Sequence, residues 1–494
     1  MKYTILINSE LSFDLYIEDG KFYIDDHNYG FKNMIELIYR ADRIEVHFNG
    51  REIAYIDLSK SKVVYLGNLV TTNEIRMTTQ AMEYDEGSPQ REALISDIAR
   101  LRESKIKKSD LVRTELHTHF MEMLTGEQFL KVLFDFVDKL PVDVNGHLIG
   151  HTVDESGQKV DFQECIADFI KKDDVVRWKS VAGELSIPVK GQGTFIDLSV
   201  SNAKRNNLID YVARELKKVD KDNMTIGDIK KVIYYFMLYE SLDLLKSMGI
   251  KYVELSYSND STIKKILEYG AIKGFPKGIE FRFLLSANRQ RFNNYTYVKE
   301  TKKNLRSMME KGMIAGFDLM GEELPLSEND KNFNDPCSFA NFTLFALDLL
   351  NKYSNSVYRL HMGENRHSYV NPVTSLEIIA KAVKVLGIKV PPPQIRIGHG
   401  VFFEKINASK YEELLKRFQV IVEINASSNY GLGNVEDMKE IPYNWYKDRS
   451  IPVVIATDGG GTHLTDPLQE ATIAIGNGGD TIGYIKNSEK KIGR

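Results

Sequence analysis

Glu115-Leu116-His117-Thr118-His119 places two imidazoles two residues apart in a run of strand character. Alternate residues of a strand face the same side, so both rings can share one face. A lone His-x-His is a weak sign of metal binding. Three later stretches strengthen it: Arg359-Leu360-His361-Met362-Gly363-Glu364, Arg396-Ile397-Gly398-His399-Gly400 and Ala456-Thr457-Asp458. Each follows a short apolar or β-branched run and closes on histidine or acid. Four of the chain's ten histidines therefore fall at such ends. His117, His119 and His361 offer neutral nitrogen donors and Asp458 an oxygen donor. That set suits Zn²⁺, one ion per chain, with a position left for water. An ion there would lower the pKa of the water and yield hydroxide near neutral pH. His399 and Asp458 could orient that water or take its proton. Glu364 could protonate a substrate, provided burial keeps it protonated.

The elements that must position these residues follow from hydrophobic periodicity. Short runs at 113–117, 252–257, 280–286, 314–319, 357–361, 394–398, 420–424 and 452–457 have strand character. Longer amphipathic stretches separate them, among them 301–311, 339–353 and 374–386. Before Gly249, a good helix stop, Val232, Phe236, Tyr239, Leu242 and Leu245 recur at helical steps. Eight strands alternating with helices predict an α/β fold of the (β/α)8 TIM-barrel type, whose catalytic residues sit at the C-terminal strand ends. An open doubly wound sheet is the runner-up, but the Gly-rich phosphate loop expected after its first strand is missing. The interval 120–250 is too long for a plain connection. It reads as a helical lid insertion, with helices near 126–139, 206–219 and 225–247 and an irregular, polar part over 141–200. Asn145-Gly146 and Ser156-Gly157 supply turn signals there. Residues 1–85 form a small strand-rich module: Tyr3, Ile5 and Ile7, then Phe13, Leu15 and Ile17, alternate at period two. Asp19-Gly20 and Asn49-Gly50 mark hairpins, and a helix is expected near 31–41. A charged helical linker over 86–110 joins it to the barrel, 111–494. Packing or self-association through the module is its plainest use.

Composition narrows the partners. Lys plus Arg number 65 and Asp plus Glu 69, a net charge of −4, so no broadly basic surface exists and a nucleic-acid partner is not expected. Cys165 and Cys337 cannot build a disulfide framework or a four-cysteine zinc site, and they fit a reducing cytoplasm. The N-terminus lacks a signal-peptide core, and no run of about 18 apolar residues is present, so no membrane span is expected. No Cys-x-x-Cys occurs, which sets aside the cytidine-type zinc deaminases.

In their order, TELHTH (114–119), YVELSYS (252–258), GFDLMGEE (316–323), HMGE (361–364), RIGHG (396–400), INASSN (424–429) and ATDGG (456–460) resemble the adenosine/AMP deaminase family of the amidohydrolase superfamily. The resemblance implies a zinc barrel that hydrolyses the 6-amino group of adenine to a hypoxanthine-type product and ammonia. By position, His117, His119, His361 and Asp458 match the zinc ligands. Glu364 matches the acid that protonates purine N1, and His399 the residue that assists the attacking hydroxide. Gly321 matches the glycine whose N–H meets the purine. Gly459 stands where the family usually has a second aspartate, which contacts N7. Phe120-Met121-Glu122-Met123, after the His-x-His, departs from the nucleoside branch, and 463–470 is similar to AMP deaminases. The expected substrate is thus a small purine nucleoside or nucleotide, AMP or dAMP favoured. Arg366, Arg289 and Arg291, with Lys204 and Arg205 on the lid, are candidate phosphate ligands. Divergent relatives occur in bacterial anti-phage systems, a setting the added module and lid would suit. Two other readings stay open: a metal-dependent amidohydrolase acting on a non-adenine substrate, and an inactive barrel serving as a scaffold.

Overall fold

The structure, a computed structural model, describes residues 112–490 apart from 143–146, 154–158, 166–167, 188–192, 220–223, 293, 324–335, 354, 366–370, 389–393, 403–407 and 478–480. Before residue 112 it gives the backbone of seven strands between Lys2 and Tyr65.

Eight strands form one parallel sheet in chain order: Thr114–His119, Tyr252–Tyr257, Glu280–Asn288, Gly316–Met320, Val357–Met362, Ile395–His399, Ile421–Ile424 and Val453–Ile455. They are called barrel strands one to eight below. Their residues are almost continuously buried, as expected where helices cover one face and the barrel interior the other. Strand eight returns to strand one through a parallel bridge between Thr118 and Asp458. The His119 N–H donates to the Asp458 carbonyl at 2.6 Å, and the Asp458 N–H donates to the His117 carbonyl at 2.8 Å. The fold is therefore the expected (β/α)8 barrel. Its helices bury one stripe: Ala408–Phe418 buries Tyr411, Leu414, Leu415 and Phe418. Ile226–Ser247 starts on a capping box of Thr225 and Asp228, and Gly249 beyond its end has φ +93°.

Branched aliphatic layers usually fill such a barrel. Here an ion network lies inside it. Arg359 Nε donates to Glu423 Oε2 at 2.7 Å, and Arg359 Nη1 to Ser256 Oγ at 2.7 Å. Arg396 Nη2 donates to Glu254 Oε1 at 3.2 Å and Nη1 to Glu423 Oε1 at 3.3 Å. All five residues, and Asp318 beside Arg359, are buried. Charges this deep persist only when paired.

The insertion between strands one and two differs from expectation. Helices Gly126–Phe134, Phe195–Val219 and Ile226–Ser247 stand where helices were expected, the second starting well before 206. The stretch 141–200 is not irregular: Lys139–Val142 pairs with Asp168–Lys171, His147–Val153 pairs with Lys159–Cys165, and Val175–Ala182 is helical. The first pairing joins segments on either side of the second, which local polarity does not report; the second is a hairpin of neighbouring strands, in the interval where Ser156-Gly157 supplied a turn signal. In the N-terminal region, Lys2–Leu6, Ser12–Glu18 and Lys21–Asp26 form one antiparallel sheet and Ile35–Tyr39, Arg43–Phe48, Arg51–Asp57 and Lys62–Tyr65 another. Two-residue connections at 19–20 and 49–50 join hairpins. The helix expected near 31–41 is corrected: Ile35–Tyr39 is a strand, held by pairing of Ile35 with Phe48. The linker 86–110 lies outside the described residues. Among the described residues no helix is long and apolar enough to cross a membrane.

Candidate functional site

Strands one, five, six and eight deliver their histidines and acids to one point. His117 Nε2 lies 3.1 Å from His361 Nε2 and 3.4 Å from Asp458 Oδ1. His119 Nε2 lies 3.1 Å from the same Asp458 oxygen. Donors at about 2.1 Å around one tetrahedral ion stand roughly 3.4 Å apart, so these separations fit a single Zn²⁺-sized cation. Asp318 adds a carboxylate oxygen 3.4 Å from His361 Nε2. That oxygen is buried and has no hydrogen-bond partner, so it too faces the place of an ion. His117, His119, Asp318 and His361 form one set with all ligand atoms within 4.8 Å of one another; His117, His399 and Asp458 form a second. The donor set fits a divalent metal.

Backbone strain marks the same place. His399 (φ +70°) and Asp458 (φ +64°) are non-glycine residues in the left-handed region, where L side chains are held only by their surroundings. Around His117 the packing admits no larger neighbour: a Cβ on Gly398 would come 2.4 Å from its ring. Asn425 Nδ2, 3.2 Å from His117 Nδ1, and Glu423 Oε2, at 3.2 Å from the same nitrogen, orient that ring from below. Ser428 Oγ donates to Asp458 Oδ2 at 2.6 Å, and His463 Nε2 stands 3.5 Å from that oxygen.

Glu364 Oε2 is 3.5 Å from both His361 Nδ1 and His399 Nε2. The Glu364 N–H donates to Glu323 Oε2 at 2.9 Å, which fixes the loop after strand five. Burial pushes the Glu364 carboxyl up, but the imidazoles of His399 and His361 more than offset this and hold it below its usual range. The condition attached to Glu364, that burial keep it protonated, is therefore not met while the His361 ring carries charge. A coordinating imidazole must be neutral, so coordination at His361 would remove that opposing charge. Burial pushes His399 down to about 3, the Glu364 and Asp458 carboxylates offsetting part of that, so the ring is neutral; its Nε2 stands 3.1 Å from His361 Nδ1. Asp458 is held well below its usual range: burial opposes this, but His117, His119 and His463 outweigh it.

A cavity of about 620 Å³ opens above this cluster, within the range of small-molecule sites. His119, His361, Glu364, Asp458 and Gly321 line it from the barrel, and Asn202 and Asn206 from the insertion helix Phe195–Val219. Gly321 has φ +103°, and a Cβ there would meet Asn288 Oδ1 at 2.6 Å, so its backbone alone borders the cavity.

The basic residues scatter. Arg291 lines the cavity, its guanidinium 4.2 Å from the Tyr297 ring centre. Arg289 instead donates to the carbonyls of Leu319 and His361, behind the cluster. Arg205 is fully buried and donates to the carbonyls of Leu124 and Leu185 at 3.0 and 2.9 Å, so it clamps the insertion and meets no ligand. Lys204 is half-buried on the same helix and does not line the cavity. Arg366 lies outside the described residues. Lys230, unforeseen from sequence, lines the cavity and pairs with Asp210 at 2.6 Å. Sequence reasoning also passed over Asp318, Glu323 and Asn425, although each stands inside a strand-end motif, and over Glu122.

The sequence profile of the family described as "Adenosine deaminase" matches residues 225–486, more than half of the chain. A relative, the N6-methyl-AMP deaminase-L of Xenopus laevis, is 24% identical over 253 residues, 48% of this chain and 64% of that protein. The match thus spans less than two thirds of the relative's length. Among solved structures, the apo N6-methyl-AMP deaminase of Arabidopsis thaliana is similar over 78% of this chain and 92% of its own, at 16% identity and TM-score 0.46. An amidohydrolase of Burkholderia ambifaria with bound Zn is similar over 83% of this chain and 88% of its own, at 13% identity and TM-score 0.46.

Proposed function

The chain belongs to the adenosine deaminase family, and from that premise we propose that it is a zinc-dependent hydrolase that removes the 6-amino group of an adenine nucleoside or nucleotide as ammonia. The observation that carries this reading is the clustering of His117, His119, His361 and Asp458, with donor atoms 3.1 Å apart for His117–His361, 3.4 Å for His117–Asp458 and 3.1 Å for His119–Asp458, at a cavity that His119, His361, Asp458 and Glu364 line. An idle scaffold would have no need to keep these groups buried and strained together.

His117, His119, His361 and Asp458 would hold the ion, with Asp318 adjoining. When bound, the ion makes hydroxide available from water near neutral pH. His399, neutral, takes a proton from the attacking water, and Asp458, fixed through Oδ2 by Ser428, helps to orient it. Glu364 protonates N1, which draws electrons from C6 and opens it to addition. The new C6–O bond forms, the C6–N6 bond breaks, the amine leaves with the proton that His399 took from water, and the remaining hydroxyl proton returns to Glu364 as C6=O forms, so that one water is consumed per ammonia released. The Gly321 N–H borders the ring. Arg291 favours a substrate with a phosphate, hence AMP or dAMP over adenosine.

Purified zinc-loaded protein incubated with adenosine, deoxyadenosine, AMP, dAMP, ATP, dATP and N6-methyl-AMP tests this by ammonia or methylamine release and product mass. Hypoxanthine-type product from at least one is expected; no amine from any sinks the reading. Glu364→Gln should retain about one zinc per chain and lose kcat by about 10³-fold. Full activity in that variant would remove Glu364 from its role. The anti-phage setting is tested by nucleotide pools in infected cells with and without the protein, where inosine-type nucleotides should accumulate.

A further inference from the structure

Strand one runs into a short 3-10 turn, Phe120–Glu122, whose three residues are all buried. Glu122 ends it, 5% exposed, and lines the cavity with His119 and Asp458. Its Oε1 accepts a hydrogen bond from Asn202 Nδ2 of the insertion helix at 2.8 Å. Its Oε2 is buried and has no hydrogen-bond partner. A buried carboxyl oxygen without a partner is costly unless something else completes it. The turn after strand eight grips the same residue: the N–H groups of Gly461 and Thr462 donate to the Glu122 carbonyl at 2.7 and 3.1 Å. A Cβ on Gly459 would stand 2.5 Å from Oε2 and 2.6 Å from the Cβ of Glu122. The space that a side chain at 459 would enter is therefore filled by the Glu122 side chain.

We propose that Glu122 is a substrate-contacting residue, its free carboxyl oxygen meeting the N7 edge of the adenine ring across the metal site from Glu364. This rests on the adenine reading above. Glu122 follows strand one and Glu364 follows strand five, which face each other in a ring of eight. C6 must lie over the histidine cluster between them. In adenine, N1 and C5 flank C6 on opposite sides, and N7 adjoins C5. With Glu364 at N1, the edge turned toward Glu122 is the one carrying N7. N7 of an adenine substituted at N9 has a lone pair and no hydrogen, so the proton between Oε2 and N7 is the one that Glu122 carries. Gly459 then does not mark a lost contact. It is the vacancy that lets an acid on a different strand reach the ring, and it ties that acid to the insertion through Asn202.

The experiment compares kcat/KM of wild type and Glu122→Ala on the accepted adenine compound and on its 7-deaza analogue, with zinc content and thermal midpoint measured alongside. The intrinsic effect of removing N7 is common to both proteins and cancels in the ratio. The wild-type preference for the N7-containing substrate should exceed that of Glu122→Ala by about 30-fold, as for a buried hydrogen bond. Glu122→Gln keeps a donor at the same place and should retain at least about a third of the wild-type preference, which also covers an alanine variant that folds poorly. Glu122→Ala/Gly459→Asp should regain about tenfold in kcat/KM over Glu122→Ala. Equal preference for N7 in wild type and both single variants, with ammonia still released, overturns the role of Glu122 alone. Wild-type protein that deaminates no adenine compound overturns the adenine reading, and this inference with it.

Discussion

Two arginines three positions or fewer from each other show how much a side chain's partners decide. Arg289 and Arg291 both follow strand three and look equivalent as sequence. Arg291 borders the cavity, whereas Arg289 donates to the carbonyls of Leu319 and His361. Arg291→Ala should raise KM for AMP about tenfold and leave adenosine within twofold, read by steady-state kinetics. Arg289→Ala should lower kcat for both alike, since it loosens the strand end that carries His361. Equal effects of both variants on the two substrates would remove the phosphate role of Arg291. The site residues are legible in the sequence because metal and proton chemistry admits few residue types. His117, His119, His361, His399, Glu364 and Asp458 stand out at strand ends for that reason. Asp318 and Glu122 do not, since acids are common and their significance lies in which atoms they face.

At the scale of elements, the eight strands are readable from short buried runs, whereas the insertion is only half readable. Its helices carry their own periodicity and caps. Its outer strand pair, Lys139–Val142 with Asp168–Lys171, joins segments on either side of the hairpin His147–Val153 with Lys159–Cys165, so no local window contains both partners. Arg205 misleads for a related reason: a charge on a helix reads as solvated, yet this one is fully buried against Phe129, 4.9 Å from the ring centre. It ties the helix Phe195–Val219 to Leu124 and Leu185. Arg205→Met leaves those carbonyls unpaired and should cost about 2–3 kcal/mol in urea unfolding, with faster proteolysis within 120–250. A variant as resistant as wild type would show that the clamp is dispensable.

For the whole molecule, the buried charges set how stability answers pH and metal. Burial pushes Glu470 up to about 7, against the N–H groups of Ala426 and Ser427 and the Thr465 hydroxyl, which pull it down. Its folded pKa exceeds the unfolded one, so its contribution is full below about pH 4.5 and is lost as pH rises through 7. Between pH 6 and 8 this amounts to about 1 kcal/mol. Thermal midpoints should fall over that interval, and more steeply in wild type than in Glu470→Gln; equal slopes would dismiss the effect. Metal acts in the opposite sense. An ion that binds only the folded cluster stabilises it by mass action, so chelation should lower the midpoint by several degrees and added zinc restore it.

The barrel closes through hydrogen bonds between His117, His119 and Asp458, residues contributed by its first and last strands. The same three residues are candidate ligands, so the seam of the cylinder and the metal centre are one place. A chain still emerging from the ribosome, or clipped before Val453, has His117 and His119 but neither the carboxylate nor the seam. Such a chain lacks the Asp458 oxygen, although one clipped just before Val453 keeps His117, His119, Asp318 and His361. An ion held by all of these residues, Asp458 included, would thus require a complete cylinder.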